Sequence, residues 1–272
     1  MRANAVTALL AILAPGDRKR EALPSLLAAL GDPESDVETR AADGLAGWFL
    51  DEAGVGDALT ARVPSLRAAT GSPDPIVQAH AISALEKMGE PPPAASILAA
   101  HNAAIRRRGI AQAAAARDVA AVPLLIELAN CDPEEVVRME AIPVAAALAA
   151  PDARDAFLAS LIDGPSDTLA NVAIRAAGET GATGLGERLR RILASPSGDR
   201  TAAAVAAANA LKDTSAVPAI AAHLADSSPD TLWETKLALD TLVGAPREVP
   251  EWQAWARQRG YLLKERSFPS PR

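Results

Sequence analysis

Residues 122–148, VPLLIELANCDPEEVVRMEAIPVAAAL, contain the pattern from which the fold is predicted. An apolar stretch with proline at its second position is interrupted at Asp132-Pro133, and apolar residues then recur at Val137, Ala141-Ile142 and Ala145. Proline is tolerated in the first turn of a helix, and an Asp-Pro pair favours a turn that caps the next helix. Positions spaced by three or four residues share one face of a helix. The stretch therefore predicts a helical hairpin.

The same pattern recurs along the chain. An apolar-proline phrase also occurs at residues 23–26, 63–66 and 217–220, and a proline-containing turn follows each one. The second helices of the hairpins are expected to end near Leu9, Leu45, Leu85, Ala113, Ala145, Ala177, Leu211 and Leu242. One hairpin cannot bury its apolar face alone, so repeats of this length predict stacked hairpins with a continuous core.

These phrases resemble the HEAT-repeat family, in the short bacterial form known as HEAT-like or phycobilisome-lyase-type repeats. The resemblance covers about residues 2–244. It implies an all-α fold, a right-handed α-solenoid of about seven HEAT-like helical hairpins plus an N-terminal half-repeat. The family's arginine after the valine is present at Arg106 and Arg138. It is replaced at Glu38, Gln78, Ala170 and Ala204, which interrupts any ladder of Asp–Arg pairs.

Composition supports this fold and limits the partners. The 272 residues include 64 alanines and only 3% aromatic residues, which favours helices packed through small side chains. A net charge of −7 opposes binding to nucleic acid and to anionic membranes. No apolar run approaches the roughly 18 residues of a membrane span. We therefore expect no nucleic acid and no membrane among the partners.

The N-terminal segment Met1–Ala14 is interpreted as a half-repeat. It is a cap, a truncated repeat or a signal sequence, and the residues leave these alternatives open. As an uncovered helix it would display Val6, Leu9, Leu10 and Leu13 as an apolar edge. The expected oligomeric state is therefore a monomer or a weak homodimer.

The other end of the chain departs from the repeat. We expect a HEAT-like solenoid over residues 1–249, a C-terminal capping helix over 250–263 and a flexible tail over 264–272. Trp252 and Trp255 are three residues apart, so they share one face of that helix. They are expected to cover the last repeat, with a tryptophan-lined ligand site as the alternative.

No pattern of catalytic or metal-ligating residues emerges. His80 and His101 are separated from His223 by several repeats, whereas a metal site needs convergent ligands. The single cysteine, Cys131, cannot form an internal disulfide. The glycine-rich run at residues 181–186 follows a helix rather than a strand, so it is interpreted as an inter-repeat turn. We expect no catalytic residue, no metal and no cofactor.

A candidate binding surface follows from the helical period. Positions two, three and six residues after the valine position of each second helix point away from the core. In a HEAT-like stack this face is concave. The expected partner-binding residues on it are Arg40, His80, Arg107, Arg108, Glu140 and Arg175. The arginines form a basic centre suited to an acidic peptide, or alternatively they are ordinary solvated side chains.

The function predicted first is a non-enzymatic, cytoplasmic protein-interaction scaffold or adaptor that binds a partner protein along the concave face. The family resemblance implies an alternative, an accessory lyase or chaperone subunit for a tetrapyrrole-bearing protein. A third possibility is an inhibitor of a toxin or enzyme, which differs from a scaffold only in the fate of its partner.

Overall fold

The computed structural model describes residues 1–13, 19–195, 198–225 and 228–262. Within these ranges the chain forms seventeen α-helices and four short 3-10 turns, without a strand. None of the described helices is long and apolar enough to cross a membrane. The helices are α1 (Arg2–Leu13), α2 (Lys19–Ala29), α3 (Ser35–Trp48), α4 (Val55–Thr60), α5 (Val63–Ala69), α6 (Pro75–Lys87), α7 (Ala94–Leu98), α8 (Ala103–Ala116), α9 (Val122–Cys131), α10 (Glu135–Leu148), α11 (Pro151–Ile162), α12 (Asp167–Glu179), α13 (Gly186–Ala194), α14 (Thr201–Ala210), α15 (Val217–Ala222), α16 (Pro229–Val243) and α17 (Val249–Gln258).

The helices form two compact units, Met1–Leu124 and Leu125–Arg272. In the first unit α2 packs on α3, α5 on α6 and α7 on α8; in the second α11 packs on α12, α13 on α14 and α15 on α16. Second helices of successive hairpins also pack together, as α1, α3 and α6 in one unit and as α10, α12, α14 and α16 in the other. This arrangement confirms the predicted all-α fold of repeated hairpins, with α1 as a half-repeat.

The buried positions agree with the repeat pattern. Leu26, Leu66 and Leu125 of the first helices are fully buried, and each contributes roughly 1.5–3 kcal/mol. The alanines allow close helix approach. A Cβ placed on Gly178 of α12 would lie only 2.9 Å from the Cα of Ala207 in α14. Small side chains therefore set the spacing between second helices.

The expected side-chain caps form at α6 and α16 but not at α3 and α10, whose N-caps Glu34 and Glu134 make no side-chain cap hydrogen bond. Asp74 accepts a 2.8 Å hydrogen bond from the Ile76 amide at the start of α6, and Ser228 caps α16. Proline is in the first turn of α5, α6, α11, α15, α16 and α17. Pro24, however, lies inside α2, because this helix begins earlier than its phrase suggested, at Lys19.

Helix α16 ends at Val243, near Leu242 as expected, but its buried positions differ from those that the repeat pattern predicts. Leu242 is only partly buried, whereas Leu239, three residues earlier, is fully buried. In α3, α6, α8, α10 and α12 the first apolar slot lies three residues after the N-cap. The same count from the N-cap Ser228 places this slot at Thr231, which is buried. The core position of α16 is therefore Leu239, about one helical turn before Leu242.

The apolar edge expected at the N-terminus is also corrected. Val6 and Leu13 are buried, and Leu9 and Leu10 pack against the same core cluster. These side chains are covered because α1 packs on α2 and α3. The large apolar side chain that α1 does expose is Ile12.

Two helices, α4 and α17, lie outside the hairpin pattern. The short helix α4 was not predicted; its Val55 and Leu59 add to the core of the first unit. At the other end, α17 packs on α15 and α16, with Trp252 fully buried and its ring 5.0 Å from that of Trp255. The domain limits stay a prediction, and the expected tail over 264–272 lies outside the described residues.

Candidate partner-binding face

We define the second-helix face as the side chains two, three and six positions after the first apolar slot of each second helix. Helical geometry predicts that these side chains avoid the core. In α3, α6, α8, α10 and α12 they do so, with the exception of Thr39, two positions after Val37, which is fully buried. None of the following is buried: Arg40, Asp43, His80, Ser83, Arg107, Arg108, Met139, Glu140, Asn171 and Arg175.

In the first unit, Arg40 is held by its neighbours. Its Nε lies 2.6 Å from Oδ1 of Asp36, one turn earlier in α3, and its Nη1 donates a 2.6 Å hydrogen bond to the hydroxyl of Thr7 in α1. The guanidinium therefore joins α1 to α3.

His80 contacts a carboxylate of the preceding second helix. Its Nδ1 donates to Oδ2 of Asp43 over 2.9 Å, and Lys87 Nζ lies 2.6 Å from the other oxygen. Burial raises the pKa of Asp43, but hydrogen bonds from His80, Lys87 and Ser83 outweigh this effect and hold the pKa below its ordinary value. His80 thus joins α3 to α6 within a charged cluster.

The expected basic centre is in α8. Arg107 and Arg108 are both exposed, and Arg108 forms an ion pair with Glu86 of α6. The ion pair offsets the charge of Arg108, so the face around it is less basic than the sequence alone suggests. Whether these arginines bind a partner stays a prediction.

The residue directly after the first apolar slot of a second helix has a structural role in α6, α8 and α10. Arg106 is buried, and its Nη1 donates to the carbonyls of Ala100 and His101, at 2.9 and 2.8 Å. Arg138 likewise donates to the carbonyl of Asp132. Gln78 substitutes at the same slot of α6, where its Nε2 donates to the Thr70 carbonyl over 2.8 Å. These side chains satisfy carbonyl groups in the turn before the second helix.

In the second unit, Arg175 lines a depression of about 360 Å³ on the second-helix face. It is formed by the three consecutive second helices α12, α14 and α16 and by Asp199, which precedes α14 by two positions. Its lining is Asn171 and Arg175 from α12, Asp199, Ala202 and Ala203 from the start of α14, and Asp230, Trp233 and Glu234 from α16. Because α14 contributes only alanines from its helical part, the space between α12 and α16 stays open.

The charges of this depression are not neutralised by one another. Within the part of the chain that the structure describes, no ion pair or side-chain hydrogen bond joins Arg175, Asp199, Asp230 or Glu234 to another residue. The indole of Trp233 is 66% exposed among them. In the first unit, by contrast, Arg40, Asp43 and Arg108 on this face each pair with a charged neighbour. Glu140, on the same face of α10, does not line the depression.

Sequence reasoning missed Trp233 and Glu234 because of the register of α16. Counted from Thr231, these two residues occupy the second and third positions, which belong to the second-helix face. The signal that would have located them is Ser228, whose hydroxyl caps α16 three residues before that slot. Helix capping was therefore a better guide to register than the leucine at the helix end.

Other chemistry-bearing residues remain dispersed. No group of three or more His, Cys, Asp or Glu side chains that could hold a metal occurs among the described residues. Cys131 is exposed at the end of α9. His223 is buried, with Nε2 2.8 Å from the carbonyl oxygen of Leu193. Residues 181–186 form an inter-repeat turn, as expected.

No protein-family model matches the chain, and no curated protein matches its sequence. An engineered protein of known structure is 17% identical, with a TM-score of 0.44, over 95% of this chain and 89% of that one. A designed armadillo repeat protein is 19% identical, with a TM-score of 0.35, over 81% of this chain and 99% of that one. The complex of CpcE and CpcF of phycocyanin lyase from Nostoc sp. PCC7120 is 18% identical, with a TM-score of 0.35, over 86% of this chain and 91% of that one.

Proposed function

We propose that this protein is a non-enzymatic interaction scaffold or adaptor that binds a partner protein along the second-helix face. The observation that carries the proposal is Trp233, whose indole is largely exposed in a depression lined by charged groups without partners among the described residues. Tryptophan and arginine are the side chains that most often dominate the energy of protein interfaces. The proposal takes the protein to act in the cytoplasm as a monomer or a weak homodimer.

The partner is placed at this depression because it combines an exposed tryptophan with charges that have no partner among the described residues. Exposed tryptophan leaves a large apolar area in water, and burial of that area against a partner is favourable. Unpaired charges at the rim of such a surface favour a partner of complementary charge and speed its association. Repeat proteins built from stacked hairpins present such side chains from several repeats at once.

The test is affinity capture from native lysate, followed by mass spectrometry. We expect a protein retained by the wild type to be lost from the Trp233→Ala/Arg175→Glu variant. The matched control is Val136→Ala, which truncates an exposed apolar residue of α10 that does not line the depression. A partner retained equally by all three baits would contradict the proposal for this depression.

Two further variants, used as baits in the same capture experiment, test whether the first unit also contacts the partner. Arg107→Glu/Arg108→Glu reverses the predicted basic centre, and Arg67→Glu reverses an exposed arginine of α5 that pairs with Glu90. Selective loss from the double variant alone would extend the binding surface to α8. If the double variant and Arg67→Glu retain the same partners, the partner-binding surface is limited to the second unit.

A further inference from the structure

We propose that the depression formed by α12, α14 and α16 receives a lysine or arginine side chain of the partner, placed over the indole of Trp233. An acidic side chain nearby in the same partner segment would meet Arg175. This inference rests on the proposed function and names the chemistry that this part of the surface recognises. It follows from three observations: the tryptophans of the chain, the charges of the depression, and its alanine lining.

The first observation is that the other three tryptophans each have a cation over the ring. The distance from the cation to the ring centroid is 4.7 Å for Arg247 over Trp252, 4.6 Å for Arg259 over Trp255 and 5.4 Å for Lys19 over Trp48. Such contacts are favourable because the ring face is electronegative. Over Trp233, no cation is found within the ranges that the structure describes. Its position is open to a cation from outside the chain.

The second observation is the sign of the charges around this indole. Asp230 and Glu234 lie in the same helix as Trp233. Asp199, two residues before the start of α14, also lines the depression. Three carboxylates that line the same depression as one exposed aromatic ring match a cationic side chain in charge. An anionic ligand such as nucleic acid would be repelled by them.

Arg175 accounts for the second half of the proposed motif. It lines the depression from α12, whereas the aromatic ring and two of the carboxylates come from α16. Its guanidinium has no ion-pair partner within 4.0 Å in the described part of the chain. A carboxylate can accept two parallel hydrogen bonds from such a group. A partner segment with a basic residue and an acidic residue close together can therefore pair with the carboxylates around Trp233 and with the guanidinium of Arg175.

The third observation is the open volume between the side chains of α12 and α16. Ala202 and Ala203 line the depression between the charged side chains of α12 and α16, and Ala202 is only half-buried. A longer side chain at position 202 would occupy this volume without changing any charge. Ala202→Met is thus a variant that blocks entry sterically while the electrostatic groups remain.

The experiment uses the full chain, immobilised, to select binders from a displayed library of random peptides. We expect enriched peptides to contain Arg or Lys within a few positions of Asp or Glu. For a synthetic peptide from that pool, titration calorimetry should show binding weakened about tenfold or more by Trp233→Ala and by Ala202→Met. Val136→Ala should leave the affinity unchanged.

Charge reversal makes the result specific. Selection on Asp230→Lys/Glu234→Lys should replace the basic position by an acidic one, and selection on Arg175→Glu should remove the acidic position only. Peptides enriched without a basic residue would overturn the inference and leave the scaffold proposal standing. Basic peptides that bind these variants as well as the wild type would also overturn it. If no peptide is enriched and lysate capture also retains no partner, both proposals fail.

Discussion

The carboxylate of Asp43 in α3 and the imidazole of His80 in α6 are joined by a hydrogen bond of 2.9 Å between Oδ2 and Nδ1. Lys87, two turns later in α6, contacts the other carboxylate oxygen at 2.6 Å. Asp43 thus connects two successive second helices on their polar face, where their apolar faces already pack. Because the hydrogen bonds favour the ionised carboxylate more than burial disfavours it, the pKa of Asp43 lies below its ordinary value.

This relationship predicts a pH-dependent contribution to stability. A carboxyl group whose pKa is lower in the folded state stabilises the fold above its unfolded pKa of about 3.9, and this contribution is lost as pH falls through the folded pKa. Asp43→Asn should therefore reduce the free energy of unfolding by about 1–2 kcal/mol at neutral pH. The difference from wild type should shrink below about pH 4.

Urea unfolding at a series of pH values measures this difference. The control is Glu90→Gln, which removes a carboxylate from an exposed ion pair with Arg67 and should change stability by less than about 1 kcal/mol. A difference between Asp43→Asn and wild type that stays constant down to pH 3 would contradict the assignment.

Gly178 in α12 and Gly47 in α3 should respond differently to substitution by alanine, because only Gly178 lies against the backbone of another helix. Gly178→Ala should cost about 1–3 kcal/mol, because the new Cβ would lie 2.9 Å from the Cα of Ala207 and backbone must move. Gly47→Ala in α3 should be neutral or stabilising by up to about 1 kcal/mol, since its Cβ meets only the flexible end of Lys87. Thermal midpoints compare the two. Equal shifts for both variants would show that helix propensity, and not packing, dominates.

The core positions predicted from the repeat can be tested at Leu66. This side chain is fully buried, so Leu66→Ala should lower the free energy of unfolding by about 2–5 kcal/mol. Ile76, in the first turn of α6, is 48% exposed, and Ile76→Ala should change stability by no more than about 0.5 kcal/mol. Chemical denaturation provides the measurement. A small effect of Leu66→Ala would mean that α5 packs in another register.

Two tryptophans of the second unit should differ sharply. Trp252 is fully buried and its Nε1 donates a 2.8 Å hydrogen bond to Oδ1 of Asp240, so Trp252→Ala should cost about 3–5 kcal/mol. Trp233 is mostly exposed, so Trp233→Ala should change stability by less than about 0.5 kcal/mol. Urea midpoints of the two variants test this contrast. A large loss for Trp233→Ala would mean that the residue supports the fold and is not reserved for a partner.

Much of the fold could be predicted because the repeat is written in local sequence. Proline in a first turn, a capped turn and apolar residues at helical spacing specify each hairpin, and Leu26, Leu66 and Leu125 are buried as expected. The pattern failed in α16, where leucines at positions 239 and 242 are one turn apart and either suits a helical period. The N-cap at Ser228 resolves this ambiguity, since a cap defines where the helix begins.

The sequence by itself determined the all-α hairpin repeat and most of the positions in α3, α6, α8, α10 and α12 that avoid the core, because both follow from the period of 3.6 residues. Tertiary structure alone decided which charges on that face pair with one another and which do not. Arg108 meets Glu86, and Asp43 meets His80, through helix packing that no local pattern records. Arg175 and Trp233 share a depression because two helices distant in sequence lie on either side of the alanines of α14. Their juxtaposition depends on the space between packed helices, and that space is a property of the folded chain.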